Sequence, residues 1–208
     1  RVTFPVFSTI QDDRQRVKQG MKKALTMLGL VNFPLMIGLA VVARPLVLVL
    51  LTDKWMPCVP YLQLLCVVGL MYPLNLTNLS VLQALGRSDL SLRLEIIKKT
   101  LIVLNIMITW RWGIMAMITG QVLISLVNYY LNAYYNKVLL KYSIWEQIGD
   151  LYPYLINALV MGGLVYVMIY LPISGLKLIL MCQIMTGGIV YIILCRFLRF
   201  PAYMELQG

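Results

Sequence analysis

The sequence contains no histidine, and only 8 of its 208 residues are acidic. The first absence removes imidazole general bases, His-ligated metals and every Ser/His or Cys/His nucleophile pair. The second leaves no carboxylate near the centre of any apolar run. A buried carboxylate is a frequent coupling group in proton- or cation-driven carriers, and here it would have to lie on helices outside this chain. Cysteine is scarce as well. Cys58, Cys66, Cys182 and Cys195 form no CxxC pair and read as small buried hydrophobes, not as a redox or metal set. Neither GxxxxGK[ST] nor GxGxxG occurs, so no nucleotide loop is expected. The sequence calls for no cofactor, no metal and no covalent catalysis.

What it has in excess is apolar surface. Hydrophobic residues make up 61% and charged residues 12%, against about 45–50% and 25% in soluble domains. A soluble core of this size leaves too much of the chain exposed to hide that fraction. Soluble enzymes and nucleic-acid binders are set aside on this ground, despite a net charge of +10. A membrane strand alternates over about ten residues, whereas these runs are continuously apolar over about twice that length. A helical span needs about 20 residues. The expected fold is all-α, a polytopic transmembrane helix bundle of about six spans, near 24–43, 59–83, 95–111, 114–135, 152–171 and 176–195. Glu95, Lys98 and Lys99 sit in the first turns of the third span and make it the weakest of the six. Punctuation separates the runs, including Gly86-Arg87-Ser88-Asp89, Trp110-Arg111-Trp112-Gly113 and Pro172-Ile173-Ser174-Gly175.

Charge then orients the bundle. Fourteen of the 18 Lys and Arg residues fall on the side of the two chain ends and four on the other. That is a positive-inside pattern with both visible ends cytoplasmic, and Trp55, Trp110 and Trp112 stand where an outer aromatic belt is expected. The chain opens at Arg1 without Met or a leader, as expected for part of a longer translation product. Three regions follow: a cytoplasmic linker over 1–23, a four-span part over 24–151, and a terminal two-span hairpin with a short tail over 152–208. The basic 14–23 stretch reads as a solvated helix close to anionic lipid.

The informative residues inside the spans are uncharged and polar. Gln121, Ser125, Asn128 and Asn132 recur at i, i+4, i+7 and i+11, within about 60° of one another on a helix. Lipid offers such a stripe no partner, so it faces protein or water. It is either interhelical glue or one wall of a hydrated cavity suited to sugar hydroxyls. The second span carries Pro73 and a polar second half with Asn75, Thr77, Asn78, Ser80 and Gln83. Asn75 and Asn78 share one face, again as cavity lining or as a packed kink. Pro34 and Pro73 are hinge candidates, with packing kinks the alternative. Lys98 and Lys99 are placed to meet a pyrophosphate or headgroup, and Arg44 and Arg111 to meet a phosphate or lipid headgroups. Gly162-Gly163 and Gly187-Gly188 are expected to let the last two spans pack tightly. A lipid-tail groove beside that hairpin is the less favoured alternative.

Several loop motifs then fall into a familiar order. They include Phe4-Pro5-Val6-Phe7-Ser8, Gln11-Asp12-Asp13, Phe33-Pro34-Leu35, Arg44-Pro45-Leu46-Val47 and Lys54-Trp55. Val59-Pro60-Tyr61-Leu62-Gln63, Leu82-Gln83-Ala84-Leu85-Gly86-Arg87-Ser88-Asp89 and Trp112-Gly113-Ile114 continue it. Over about residues 1–115 the set resembles the Wzx/WzxC-type polysaccharide flippases of the MOP superfamily; beyond that only hydropathy and span count agree. The resemblance implies a two-lobed carrier of 12 to 14 spans, of which this chain is the end of the second lobe. Its missing N-terminal half would be a partner, alongside the lipid bilayer. It further implies outward movement of undecaprenyl-pyrophosphate-linked oligosaccharide across the bacterial inner membrane by alternating access, for O-antigen, capsule or exopolysaccharide synthesis. The alternatives are a MATE-like small-molecule efflux carrier and a membrane-embedded glycan polymerase or glycosyltransferase. The first would favour a buried carboxylate and the second a carboxylate or His cluster, and neither is present.

Overall fold

The computed structural model describes residues 13–170, 175–198 and 200–205. The Phe4–Ser8 motif, Gln11-Asp12 and the Pro172–Ser174 turn lie outside the described residues. Six long helices account for most of what is described: α1 (Arg14–Leu50), α2 (Val59–Ala84), α3 (Ser88–Thr109), α4 (Gly113–Leu140), α5 (Ile144–Val167) and α6 (Leu176–Phe197), followed by a short α7 (Pro201–Glu205). Single 3-10 turns over Asp53–Cys58, Trp110–Trp112 and Met168–Tyr170 follow α1, α3 and α5. The all-α membrane bundle is therefore as the hydropathy required. Among the described residues, five stretches are long and apolar enough to cross a membrane, and one of them, Ser88–Leu140, is the α3–α4 pair.

The helices outrun the apolar windows at several ends, because backbone hydrogen bonding continues past the hydrocarbon-compatible stretch. The clearest case is α1. Its 37 residues extend about 55 Å at 1.5 Å per residue, well beyond the roughly 30 Å of a hydrocarbon core. About 15 Å of the extra length is the basic 14–23 segment, which is docked and not solvated all round: Val17 and Met21 are fully buried. Turn chemistry closes the helices where the loops were expected. Gly86 takes φ 73° after α2, and Lys141 takes φ 52° as the left-handed cap of α4, a conformation glycine adopts freely and lysine only under tertiary constraint.

The chain divides into two compact units. Unit one joins the described residues up to Leu28 with Leu70–Leu151; unit two joins Gly29–Gly69 with the described residues from Tyr152 onward. In unit two, a Cβ on Gly162 would stand 2.7 Å from a methyl of Ile37, and one on Gly187 would stand 3.2 Å from Val165. Gly163 and Gly188 meet nothing within 4 Å. The close packing expected of the two glycine pairs is thus carried by one glycine of each. Gly187 does admit α5, but Gly162 serves the approach of α1. Adjacent glycines on a helix point about 100° apart, so one of each pair is left facing outward. In unit one, α3 and α4 pack at Gly120, where a Cβ would collide with the Asn105 amide.

Candidate functional site

The α4 stripe lies on a buried face. Ser125, Asn128 and Asn132 are buried and Gln121 is half-buried, and the stripe continues one turn further to a fully buried Asn136. Opposite it, within unit one, stands the polar half of α2. Asn132 donates from Nδ2 to Asn75 Oδ1 at 3.0 Å, and Asn75 donates to the Ser125 carbonyl at 3.3 Å and to Met71 of its own helix at 3.1 Å. One turn along, Asn136 donates to Asn78 Oδ1 at 2.8 Å and to the Asn78 carbonyl at 3.2 Å. Asn78 in turn donates to Gln147 Oε1 at 3.3 Å, which also accepts from the Tyr129 hydroxyl at 3.1 Å. The result is a buried amide ladder tying α2, α4 and the start of α5. Amides suit this task because each carries both donors and acceptors and no charge to desolvate.

Two members stand apart. Asn128, in mid-stripe, has no hydrogen-bond partner among the described residues, and neither does Gln121. Asn136 Oδ1 also lacks a donor although it is sealed from solvent, so the ladder is not saturated at that end. Gln83 leaves the ladder altogether and donates to Ser91 Oγ at 2.9 Å across the α2–α3 turn. Thr77 and Ser80 bond back to carbonyls of their own helix, Pro73 and Leu76. Lys98 sits 3.6 Å from Glu95 one turn earlier on α3, and Lys99 is exposed. Arg44 and Arg111 are exposed, with Arg111 over the Trp110 ring at 5.8 Å. Among the described residues no group of His, Cys, Asp and Glu is placed to hold a metal.

A second polar cluster anchors the first turns of α1. Lys18 donates to the Lys141 carbonyl at 2.8 Å and pairs with Glu146 at 3.3 Å, while Lys22 pairs with Asp150 at 2.6 Å. Tyr142 is buried beneath them and donates to Asp150 at 2.7 Å. Its burial, reinforced by the neighbouring carboxylate, raises the phenol's pKa well above the ordinary value. Unit two holds an apolar groove of about 370 Å³, lined by Tyr152, Pro153, Ile156, Val160, Leu194, Leu198 and Phe200, with Asn157 its polar member. None of the sequence-named candidates lines it.

Pattern reasoning passed over Asn136, Tyr129, Gln147, Asn105 and Gly120. Asn136 was within reach, since it extends the stripe by one i+4 step. Gln147 was not, because it lies in what read as an inter-span loop and enters the ladder only through the α4–α5 turn.

Comparison with known proteins now bears on this arrangement. A family model described as polysaccharide biosynthesis protein matches residues 1–60. Over 129 residues, 62% of this chain, the sequence is 36% identical to the lipopolysaccharide biosynthesis protein WzxC of Escherichia coli (strain K12). This chain is similar in sequence to polysaccharide biosynthesis proteins of the WzxC type. The match spans 26% of WzxC, so the matched residues correspond to about a quarter of that protein's length. The teichuronic acid biosynthesis protein TuaB of Bacillus subtilis (strain 168) is 38% identical over 91 residues, 44% of this chain and 19% of TuaB. Among solved structures, the lipid II flippase MurJ in an inward closed conformation superposes with a TM-score of 0.79, covering 100% of this chain and 44% of MurJ at 17% identity. At that identity the likeness to MurJ is one of fold.

Proposed function

We propose that this chain is part of a flippase that moves an undecaprenyl-pyrophosphate-linked oligosaccharide across the bacterial inner membrane by alternating access, and that it is not an enzyme. The observation that carries the reading is a convergence. A sequence related to polysaccharide-biosynthesis proteins is folded, over its whole described length, like part of a lipid-linked-precursor flippase. Its chemistry agrees, because transport needs polar groups that replace water around a sugar and no nucleophile. The missing N-terminal half would complete the carrier. The charge pattern supports cytoplasmic ends, and the groove beside α5 and α6 offers an apolar surface for the lipid.

Within the stripe the two roles separate residue by residue. Asn75, Asn78 and Asn132 are occupied by one another and by neighbours, which supports a bracing role in this state. Asn128 and Gln121 are the members left free to meet sugar hydroxyls, and Lys98 and Lys99 remain the cations for a pyrophosphate. In the full-length protein, Asn128→Leu should lower polymer export in a complemented knockout by roughly tenfold, the loss of one hydrogen bond in the loaded state. Its thermal midpoint should stay at the wild-type value. Unchanged export, or a cysteine at 128 that no aqueous reagent labels in any state, would remove Asn128 from the cavity.

A further inference from the structure

Pro34 lies inside α1 and Pro73 inside α2. Each lacks the N–H that would bond the carbonyl four residues back, so the Leu30 and Gly69 carbonyls lose their helical donors. Lipid cannot supply a replacement. Side chains from other helices supply it instead. Tyr191 of α6 is buried and donates its hydroxyl to the Leu30 carbonyl at 2.8 Å. Asn32 of α1 donates Nδ2 to the Gly69 carbonyl at 3.1 Å. In both cases the accepting carbonyl is the one the proline frees, and all four partners lie in unit two. The same stretch of α1 is hemmed in by close approach: a Cβ on Gly69 would stand 2.5 Å from Met36 Sδ, and one on Gly162 would stand 2.7 Å from Ile37.

We propose that Tyr191 and Asn32 are positioning residues that close the backbone gaps opened by Pro34 and Pro73, so that neither proline is a free hinge. Flexing either helix at its proline would pull a carbonyl off that side-chain donor into a medium without water. The clasp therefore turns a sequence feature associated with bending into a fixed joint. The gaps and their donors stand without reference to transport; only the consequence for export rests on the carrier reading.

A double-mutant cycle on the full-length protein tests this. Pro34→Ala restores the N–H, so the Leu30 carbonyl no longer needs Tyr191. Tyr191→Phe in the Pro34 background should lower the thermal midpoint in detergent by about 2–4 °C and reduce export in the complemented knockout. In the Pro34→Ala background the same change should lose less than half of either effect. Equal losses in both backgrounds would overturn the clasp, leaving Tyr191 an ordinary packing residue. If Tyr191→Phe fails to accumulate, rescue of accumulation by Pro34→Ala supports the proposal and equal failure overturns it. Coupling in the midpoint, with wild type and variants all inactive in export, would uphold the clasp and sink the carrier reading. Asn32→Leu against Pro73→Ala gives the second cycle, with the same expected signs.

Discussion

In unit one side-chain amides bond one another to join α2, α4 and α5, while in unit two side-chain donors reach backbone carbonyls and helices approach across glycine. Asn75, Asn78, Asn132, Asn136 and Gln147 supply the first pattern. Tyr191, Asn32, Gln183, Gly162 and Gly187 supply the second, with Gln183 donating to the Val165 carbonyl at 3.2 Å. Both answer the same difficulty, that apolar side chains gain nothing by leaving lipid for one another, so association rests on close packing and hydrogen bonds. They differ in what a substitution removes. In the amide ladder a lost side chain strands its partners; in the glycine-packed unit an added one forces backbones apart.

Asn78→Leu should expose that difference most sharply. Asn78 is fully buried and touches Asn136, Gln147 and the Leu74 carbonyl. Its loss leaves at least two buried polar groups short of a partner, a cost of about 3 kcal/mol. Denaturation of the full-length protein in detergent should show it. Replacing Asn136 by Leu at the same time should cost less than the two single changes added, because stranding is relieved when both partners become apolar. Strict additivity would mean the ladder is a set of independent contacts.

The next largest effect contrasts neighbours in unit two. Gly162→Ala meets the Ile37 methyl and should destabilise by about 1–2 kcal/mol through overpacking. Gly163→Ala meets open space, and should be neutral or stabilising by up to about 1 kcal/mol, since alanine is the better helix former. The same denaturation measurement decides it. Matching signs at the two positions would mean that the close approach to α1 is not what holds Gly162.

Much of unit one was legible in the sequence for a simple reason: a polar stripe in an apolar span can be read by its helical period alone. Ser125, Asn128 and Asn132 fell on one buried face as the 100° spacing requires. What the period could not show was the partner. Asn78 meets Asn136 from 58 residues away, and nothing local in either segment encodes that pairing. Unit two was harder still. A glycine pair announces close packing without naming the helix that approaches, and a proline announces a gap without naming its filler. Tyr191 reads as one more aromatic in an apolar run until α1 is seen beside it. The helix ends lie beyond the expected spans for a related reason. Hydropathy marks where the chain suits hydrocarbon, whereas α1 continues to Arg14 because Lys18 and Lys22 find partners beyond that limit.

The smallest expected effect belongs to that anchoring cluster, where unit one departs from its own amide chemistry and uses charge. Tyr142 holds its proton more tightly in the folded protein than in the unfolded chain, because it is buried and bonded to Asp150. Its contribution is thus fully present below the ordinary tyrosine pKa of about 10. It declines as pH rises above that value, where the unfolded chain sheds a proton that the native state keeps. Tyr142→Phe should cost about 1 kcal/mol at neutral pH, one hydrogen bond to a charged partner that solvent still reaches. Between pH 9 and pH 11 (a window fixed by the unfolded value) the wild type should lose stability more steeply than the variant. Every other group is common to the two proteins, so the difference between the two slopes isolates the phenol. Parallel slopes would mean that Tyr142 is solvated in the membrane-embedded protein. The contact between α1 and the α4–α5 turn would then rest on α1 cations, among them Arg14, Lys18 and Lys22, without help from the phenol.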